Sequence, residues 1–371
     1  MKAALRLPDG STHRLGPARD WPAASPPPRS RRAYAALHVV ATPDGQRVDW
    51  DETLDLRHRT WALGLGVAEA MDTAQRGMGL TWPLAAELIR RGAAERGGPL
   101  VAGVGTDQLD PAAVPDLAEV LGAYRDQLAV VAENGATAVL MASRALAAVA
   151  RDAEDYLRVY GNLLAQVSRP VVLHWLGPMF DPALTGYWGS TDLDVATSTV
   201  LTLIRAHASR VDGIKVSLLD RDREVRLRAA LPPGVRLYTG DDFHYPELIL
   251  GDGERHSDAL LGILDGIGRP AAAALARLDA GDRAGYLDTL APTVPLARHI
   301  FAAPTYHYKT GLAFLAWLNG EQSRFRLLDG LDRARDAAHL ARLVQLADQA
   351  GVLVDPDLAA ARAGAYLGTR A

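Results

Sequence analysis

The chain has 371 residues, 49% of them hydrophobic, a formal net charge of -4 and no cysteine. That length suits one large domain with a sizeable core, or one domain with an appendage. The composition excludes a disulfide framework, zinc–thiolate sites and cysteine catalysis, and the charge offers no basic surface for nucleic acid.

Residues 1–8 lack the apolar stretch of a signal peptide. No run in the sequence approaches the roughly 20 apolar residues that span a bilayer. The expectation is therefore a cytoplasmic protein without membrane or nucleic-acid partners.

In chain order, residues 1–32 read as an N-terminal appendage. Leu5 and Leu7 can pair as an edge strand with Thr12 and His13, and Pro22, Pro26, Pro27 and Pro28 with Arg29, Arg31 and Arg32 form a linker. From Tyr34 short apolar runs alternate with stretches of helical period. Strand-like runs occupy 34–40, 63–69, 99–104, 137–142, 170–175, 212–217, 235–239 and 257–263. Between them lie helical patterns such as 115–134, which stops at Asn134-Gly135, and 154–167. Such alternation implies parallel strands joined by crossover helices. Eight units predict a (β/α)8 TIM barrel, a fold of about 250 residues. A doubly wound sheet is the competitor, but no Gly-x-Gly-x-x-Gly follows the first strand. Past residue 268 the pattern is helical, at 270–279, 282–291, 294–302, 307–318, 332–350 and 356–366. The division expected is 1–32 appendage, 33–285 barrel and 286–371 C-terminal helical extension.

Barrel chemistry sits at the C-terminal ends of the strands. The sixth strand carries Lys215 between Ile214 and Val216. Alternation places Lys215 with Gly213 and Ser217, opposite the apolar set, and so inside the barrel. An ammonium there is costly unless paired or deprotonated, and a neutral lysine is a nucleophile for carbonyl carbon. A strand-end lysine can also snorkel to solvent. The fifth strand ends in Leu173-His174-Trp175, which directs His174 toward the same interior. There it would move protons or serve as a hydrogen-bonded structural histidine. After the seventh strand come Asp241, Asp242 and His244, read as substrate-binding or structural, since their crowding in one loop is not a recognised metal-ligand spacing. After the second come Asp72, Thr73 and Arg76, with Arg76 suited to an anionic or polyhydroxylated substrate or to solvent. Glu69 belongs to that strand and can face inward. Trp82 is expected at the start of the next helix. No metal or cofactor is expected.

These residues resemble the dihydrodipicolinate synthase / N-acetylneuraminate lyase family of class I aldolase-type barrels, over about residues 34–355. Gly213-Ile214-Lys215 is similar to the strand bearing that family's Schiff-base lysine. Pro170-Val171-Val172-Leu173-His174-Trp175 resembles the strand that normally ends in a catalytic tyrosine, with His174 at the tyrosine position. Gly240-Asp241-Asp242 resembles its Gly-Asp-Asp, and Val101-Ala102-Gly103-Val104-Gly105 its third-strand run. Lys309 and the helix at 307–318 resemble its C-terminal region. The chain is also similar to an actinobacterial subgroup of that family without assigned activity. Two departures stand out. The loop that binds a keto-acid carboxylate is replaced by Asp72-Thr73-Ala74-Gln75-Arg76-Gly77, and the tyrosine after the fourth strand by Ala142-Ser143-Arg144-Ala145. The segment 179–194 adds Asp181, Tyr187, Trp188 and Asp192 as candidates to roof a larger cavity.

The resemblance implies a Schiff-base lyase, an aldolase or dehydratase. Lys215 and His174 would be catalytic, and Asp72, Thr73, Arg76, Asp241, Asp242 and His244 would hold a small carbonyl substrate. With the keto-acid loop gone, a sugar- or polyol-derived keto compound is the favoured substrate. It also implies a homodimer or homotetramer. Two alternatives stay open from the residues themselves. One is a metal-dependent isomerase or epimerase-like barrel using Glu69, Asp241, Asp242 and His244. The other is a non-catalytic barrel that keeps the lysine as a relic.

Overall fold

The computed structural model describes residues 3–368. A short antiparallel hairpin comes first, β1 (Ala4–Arg6) with β2 (Thr12–Arg14), pairing Leu5 with His13. Eight parallel strands follow: β3 (Ala33–Ala36), β4 (Gly66–Glu69), β5 (Leu100–Val104), β6 (Thr137–Leu140), β7 (Val171–Leu176), β8 (Val211–Ser217), β9 (Arg236–Thr239) and β10 (Asp258–Leu261). They close into a barrel in sequence order, with β10 pairing back to β3. This is a (β/α)8 TIM barrel, and each of its strands falls on a run read from the sequence.

The strands form because both faces are buried, so their composition is apolar nearly throughout. Outward residues such as Leu173, Trp175, Ile214 and Val216 pack under the helices. Inward residues Ala36, Ala68, Val101, Val139, Val172, Tyr238 and Leu260 fill the barrel. The helices start on aspartate caps: Asp49, Asp116, Asp152, Asp192 and Asp220 each accept backbone N–H groups of the first turn. The helix Leu117–Glu133 ends at Asn134, and Gly135 follows at φ 73°.

Beyond the last barrel helix, Leu264–Asp279, come Arg283–Leu290, Val294–Ile300, Tyr308–Leu318, Ala337–Ala350 and Pro356–Gly368. They share one hydrophobic core with the N-terminal hairpin, whose Leu5, Leu7 and Leu15 are buried. Polar ties join the same parts: His13 Nε2 lies 2.8 Å from Asp348 Oδ2, and Trp21 Nε1 donates to Gly351 O at 2.6 Å. The helix Tyr308–Leu318 is buried on nearly every side. Its first turn lies over the C-terminal mouth of the barrel, where Tyr308 meets Thr73. Among the described residues, no helix is long and apolar enough to cross a membrane.

Candidate active site

The site is built around β7, β8 and β9. Their register sets His174 beside Lys215 and Lys215 beside Tyr238. All three point inward, as alternation requires. Tyr238 fills the floor: its ring packs on Tyr34, and its hydroxyl donates to Asp212 Oδ2 at 2.5 Å. Two glycines make the close packing possible. A side chain at Gly213 would begin 2.8 Å from the Tyr238 ring, and one at Gly240 would begin 2.8 Å from Lys215 Cε.

Lys215 is 7% exposed. It lines a narrow cavity of about 280 Å³ including its mouth, with Met71, Asp72, Asp242, Phe180 and Tyr308. No hydrogen bond or ion pair to another described residue engages its Nζ. Burial pushes its pKa below the usual lysine value, and the carboxylates of Asp72 and Asp242 offset part of that shift. Asp242 shows the reciprocal effect. Burial raises its pKa to about 7, the Ile263 N–H and Lys215 oppose the rise, and Asp241 adds to it. Each member of the pair is therefore driven toward its neutral form. Among the described residues, the one hydrogen bond to the Asp242 carboxyl comes from Ile263 N, 2.8 Å from Oδ1.

His174 is 1% exposed. Its Nε2 stands 3.2 Å from Ser217 Oγ, while Nδ1 is buried without a partner. Burial, then the charge of Lys215, hold its pKa well below the usual histidine value. The ring is thus neutral at physiological pH. His174 opens onto a second, wider cavity of about 790 Å³ including its mouth, lined also by Arg76, Thr106, Asp107, Ser143, Arg144 and Asp181. Asp72 and Leu176 border both cavities and join them.

The other sequence candidates divide by what they already hold. Thr73 Oγ1 lies 2.9 Å from the Tyr308 hydroxyl, at the lysine cavity. Arg76 faces the wider cavity with its N–H groups engaged. It pairs with Asp107 through Nε (3.0 Å) and Nη2, and it donates to Ala70 O, Gly103 O and Gln127 Oε1. It also stacks over Trp82, the first residue of its helix. Asp241 is buried and folds back on its own loop, accepting from Phe243 N and His244 N through Oδ1 and meeting His244 Nδ1 at 2.9 Å through Oδ2. Asp241 and His244 line neither cavity.

Glu69 points outward, not into the barrel. Its neighbour Ala68 takes the inward position, and Glu69 forms a fully buried bidentate pair with Arg57. Of the roof candidates, Asp181 lines the wider cavity and pairs with Arg144. Tyr187 and Trp188 pack instead on Tyr156 and Tyr160, and Asp192 caps a helix. Among the described residues, no group of three His, Asp or Glu side chains is arranged to hold a metal ion.

A family described as a protein of unknown function, DUF993, matches residues 5–370. The chain belongs to that family. No curated protein sequence matches this DUF993 protein. Its fold is shared with solved structures of dihydrodipicolinate synthase type. A putative dihydrodipicolinate synthetase from Pseudomonas aeruginosa is 16% identical, with a TM-score of 0.67 over 86% of this chain and 99% of that one. Dihydrodipicolinate synthase from Aquifex aeolicus is 15% identical, with a TM-score of 0.65 over 87% and 99%. A prophage protein of the dihydrodipicolinic acid synthase family from E. coli K12, in complex with pyruvate, is 17% identical, with a TM-score of 0.66 over 85% and 98%. At these identities the likeness establishes the fold. It also agrees with the resemblance carried by the strand motifs.

Sequence reasoning misses Tyr308, which borders the lysine cavity, and its neighbour Lys309, which is buried but lines neither cavity. A signal for the second lies in the composition. Only three of the 40 basic residues are lysine, namely Lys2, Lys215 and Lys309. A chain that otherwise uses arginine keeps both of its described lysines buried.

Proposed function

We propose that this protein is a lyase of the class I aldolase type, which binds a carbonyl substrate as a Schiff base on Lys215. The observation that carries the reading is a buried, unpartnered lysine facing a cavity at the C-terminal end of a barrel strand, with its pKa lowered. Arginine cannot perform this chemistry, because it does not deprotonate in proteins.

The neutral Nζ attacks the carbonyl carbon and forms a C–N bond. Asp242, its pKa raised to about 7 so that a large fraction keeps its proton near neutral pH, gives that proton to the departing oxygen, which leaves as water. The resulting iminium is an electron sink. When Asp72 takes the proton of a hydroxyl one carbon removed from the iminium carbon's neighbour, the intervening C–C bond breaks and its electrons flow to nitrogen as an enamine. Protonation at carbon and attack by water then release the product and restore Lys215. In the dehydratase variant Asp72 takes a proton from the carbon next to the iminium carbon instead, and the enamine so formed expels the hydroxyl of the following carbon, which leaves as water with the proton that Asp72 returns.

His174 is kept neutral, so it serves as a hydrogen-bond partner through its free Nδ1, with Ser217 fixing the ring. The proton carrier is Asp242. Thr73 and Arg76 shape the cavities, Arg76 as a cationic wall held by Asp107. The polar lining of the wider cavity supports a polyhydroxylated, sugar-derived keto compound. Asp241 and His244 act by ordering the loop that presents Asp242. Assembly into two or four copies belongs to the same proposal.

The test is reductive trapping. Borohydride is added with a panel of ketoses and keto acids, and the intact protein is weighed. A mass increase equal to the reduced adduct, absent in Lys215→Ala, is the expected result. No adduct with any carbonyl compound from a folded wild-type protein would sink the reading.

A further inference from the structure

The N-terminal face of the barrel, opposite the end that carries Lys215, holds a cavity of about 630 Å³ including its mouth. Ser30 and Arg31 reach it from the segment before β3, Arg255 and His256 from the loop before β10, and Arg283 from the start of its helix. No carboxylate of a described residue lines it. Among the described residues, Arg31, Arg255 and Arg283 form no ion pair. Backbone carbonyls hold them instead. Arg31 donates through Nε to Ile249 O at 2.7 Å, through Nη1 to Ser30 O at 2.8 Å and through Nη2 to Leu250 O at 3.1 Å. Arg255 Nη1 donates to Arg228 O at 2.9 Å, and Arg283 Nη2 to Gly251 O at 3.3 Å. A carbonyl orients a guanidinium without cancelling its charge, and each of the three keeps N–H groups to spare.

The acids nearby spend their charge outside the cavity. Asp252 pairs with Arg228, Asp258 with Arg236 and Asp282 with Arg277. Asp279 accepts from Arg29 N and Ser30 N, and Glu254 is exposed. Ser30 Oγ is buried without a partner. An unpaired buried hydroxyl costs stability; beside three uncompensated cations it is one more donor for an anion. His256 registers the crowding of positive charge. Burial, then Arg31, Arg228 and Arg236, push its pKa down to about 4, against the pull of Asp252.

The geometry points to a second ligand site here, one that takes a phosphorylated small molecule. Three guanidinium forks from separate segments offer more N–H groups than the two oxygens of a carboxylate accept. A phosphoryl dianion presents acceptors on every side and suits them better. Leu250 and Leu278 line the same cavity and give an apolar wall to the carbon skeleton of the ligand. The site stands at the far end of the barrel from Lys215, so its ligand does not compete with a carbonyl substrate. It is independent of the Schiff-base reading.

The test is isothermal titration calorimetry at constant ionic strength, which holds general screening fixed. The probes are pyrophosphate, glycerol 3-phosphate and citrate. Wild type is compared with Lys215→Ala, with the double variant Arg255→Gln and Arg283→Gln, and with Arg205→Gln, which removes an exposed charge from another helix. Circular dichroism checks the fold of each. Both phosphorylated probes are expected to bind wild type and Lys215→Ala equally. The double variant weakens that binding at least about tenfold, the scale of one charge-assisted hydrogen bond, and Arg205→Gln leaves it unchanged. Absence of binding to wild type overturns the proposal, as does binding that survives in the double variant. Loss in Lys215→Ala would move the anion to the other end of the barrel, and equal weakening in Arg205→Gln would reduce it to general charge. Citrate bound more tightly than either phosphate would overturn the ligand class. If the double variant does not fold, the imidazole resonance of His256 in wild type decides. Pyrophosphate draws it toward the protonated form, or the proposal falls.

Discussion

The two sides of the barrel mouth treat polar side chains in opposite ways. On the side of β4, β5 and β6 they satisfy one another. Arg76 holds Asp107 and Gln127, Arg144 holds Asp181, and Thr106 Oγ1 lies 2.5 Å from Ser143 Oγ. On the side of β7, β8 and β9, under the C-terminal helix, they are left waiting. Among the described residues Lys215 Nζ has no hydrogen-bond or ion-pair partner, and His174 Nδ1 has none. Groups that complete one another stabilise the fold. Groups held apart in a dry cavity cost stability and are completed by a ligand.

Stability measurements can break this comparison, and the largest effect belongs to the satisfied side. Arg76→Ala strands a largely buried carboxylate and three acceptors, so unfolding free energy should fall by about 3 kcal/mol, read by denaturant titration. Lys215→Met on the waiting side should do the reverse. Replacing an unpaired buried amine by an apolar chain should raise stability on the order of 1 kcal/mol at pH 6, while abolishing the borohydride adduct. A loss of stability in Lys215→Met equal to that in Arg76→Ala would erase the distinction between the two sides.

The satisfied half was the more legible in outline and the less legible in detail. All eight strands could be read, because burial on both faces demands apolar runs and little else does. Lys215 and His174 could be placed inside by period-two alternation. The same alternation on β4 puts Glu69 outside with Val67, and the sequence offers Arg57 as its partner only once helix and strand are packed. Asp241 has the pattern of an aspartate that caps its own turn, which competes with any ligand for its oxygens. Arg76 was legible as a cation near the site but not as one already bonded, since Asp107 and Gln127 come from other elements. Tyr308 reaches the mouth through a helix that closes from the far end of the chain. No local spacing announces that contact.

The next effect concerns protons. Asp242 has its pKa raised to about 7, so it is protonated below that value and ionised above it. The rate of adduct formation should therefore show a descending limb as pH rises through about 7, and Asp242→Asn should remove that limb. The same raised value means that the folded state binds this proton more tightly than the unfolded chain does. Stability contributed by protonated Asp242 is present below about pH 4 and is lost as pH rises through about 7. A pH titration of both rate and Tm checks the two together. A limb unchanged in Asp242→Asn would assign the proton to another group.

The smallest effect lies on the boundary between the two sides. Tyr308 and Thr73 share one buried hydrogen bond, and Tyr308→Phe removes it while leaving Thr73 near the cavity. A loss of about 1 kcal/mol in stability is expected, with trapping by Lys215 retained. Complete loss of trapping would make this contact part of the chemistry.

The hairpin and the last helix give the molecule a topology of its own. Leu5 on β1 packs beside Gly364 on Pro356–Gly368, so the two ends of the described chain lie against each other. The same core runs on through Leu312 to Tyr308. The chain is nearly a closed ring, and its clasp lies on the element that covers Lys215. Loosening the clasp would unfasten the roof of the site from behind, without touching a residue that lines it.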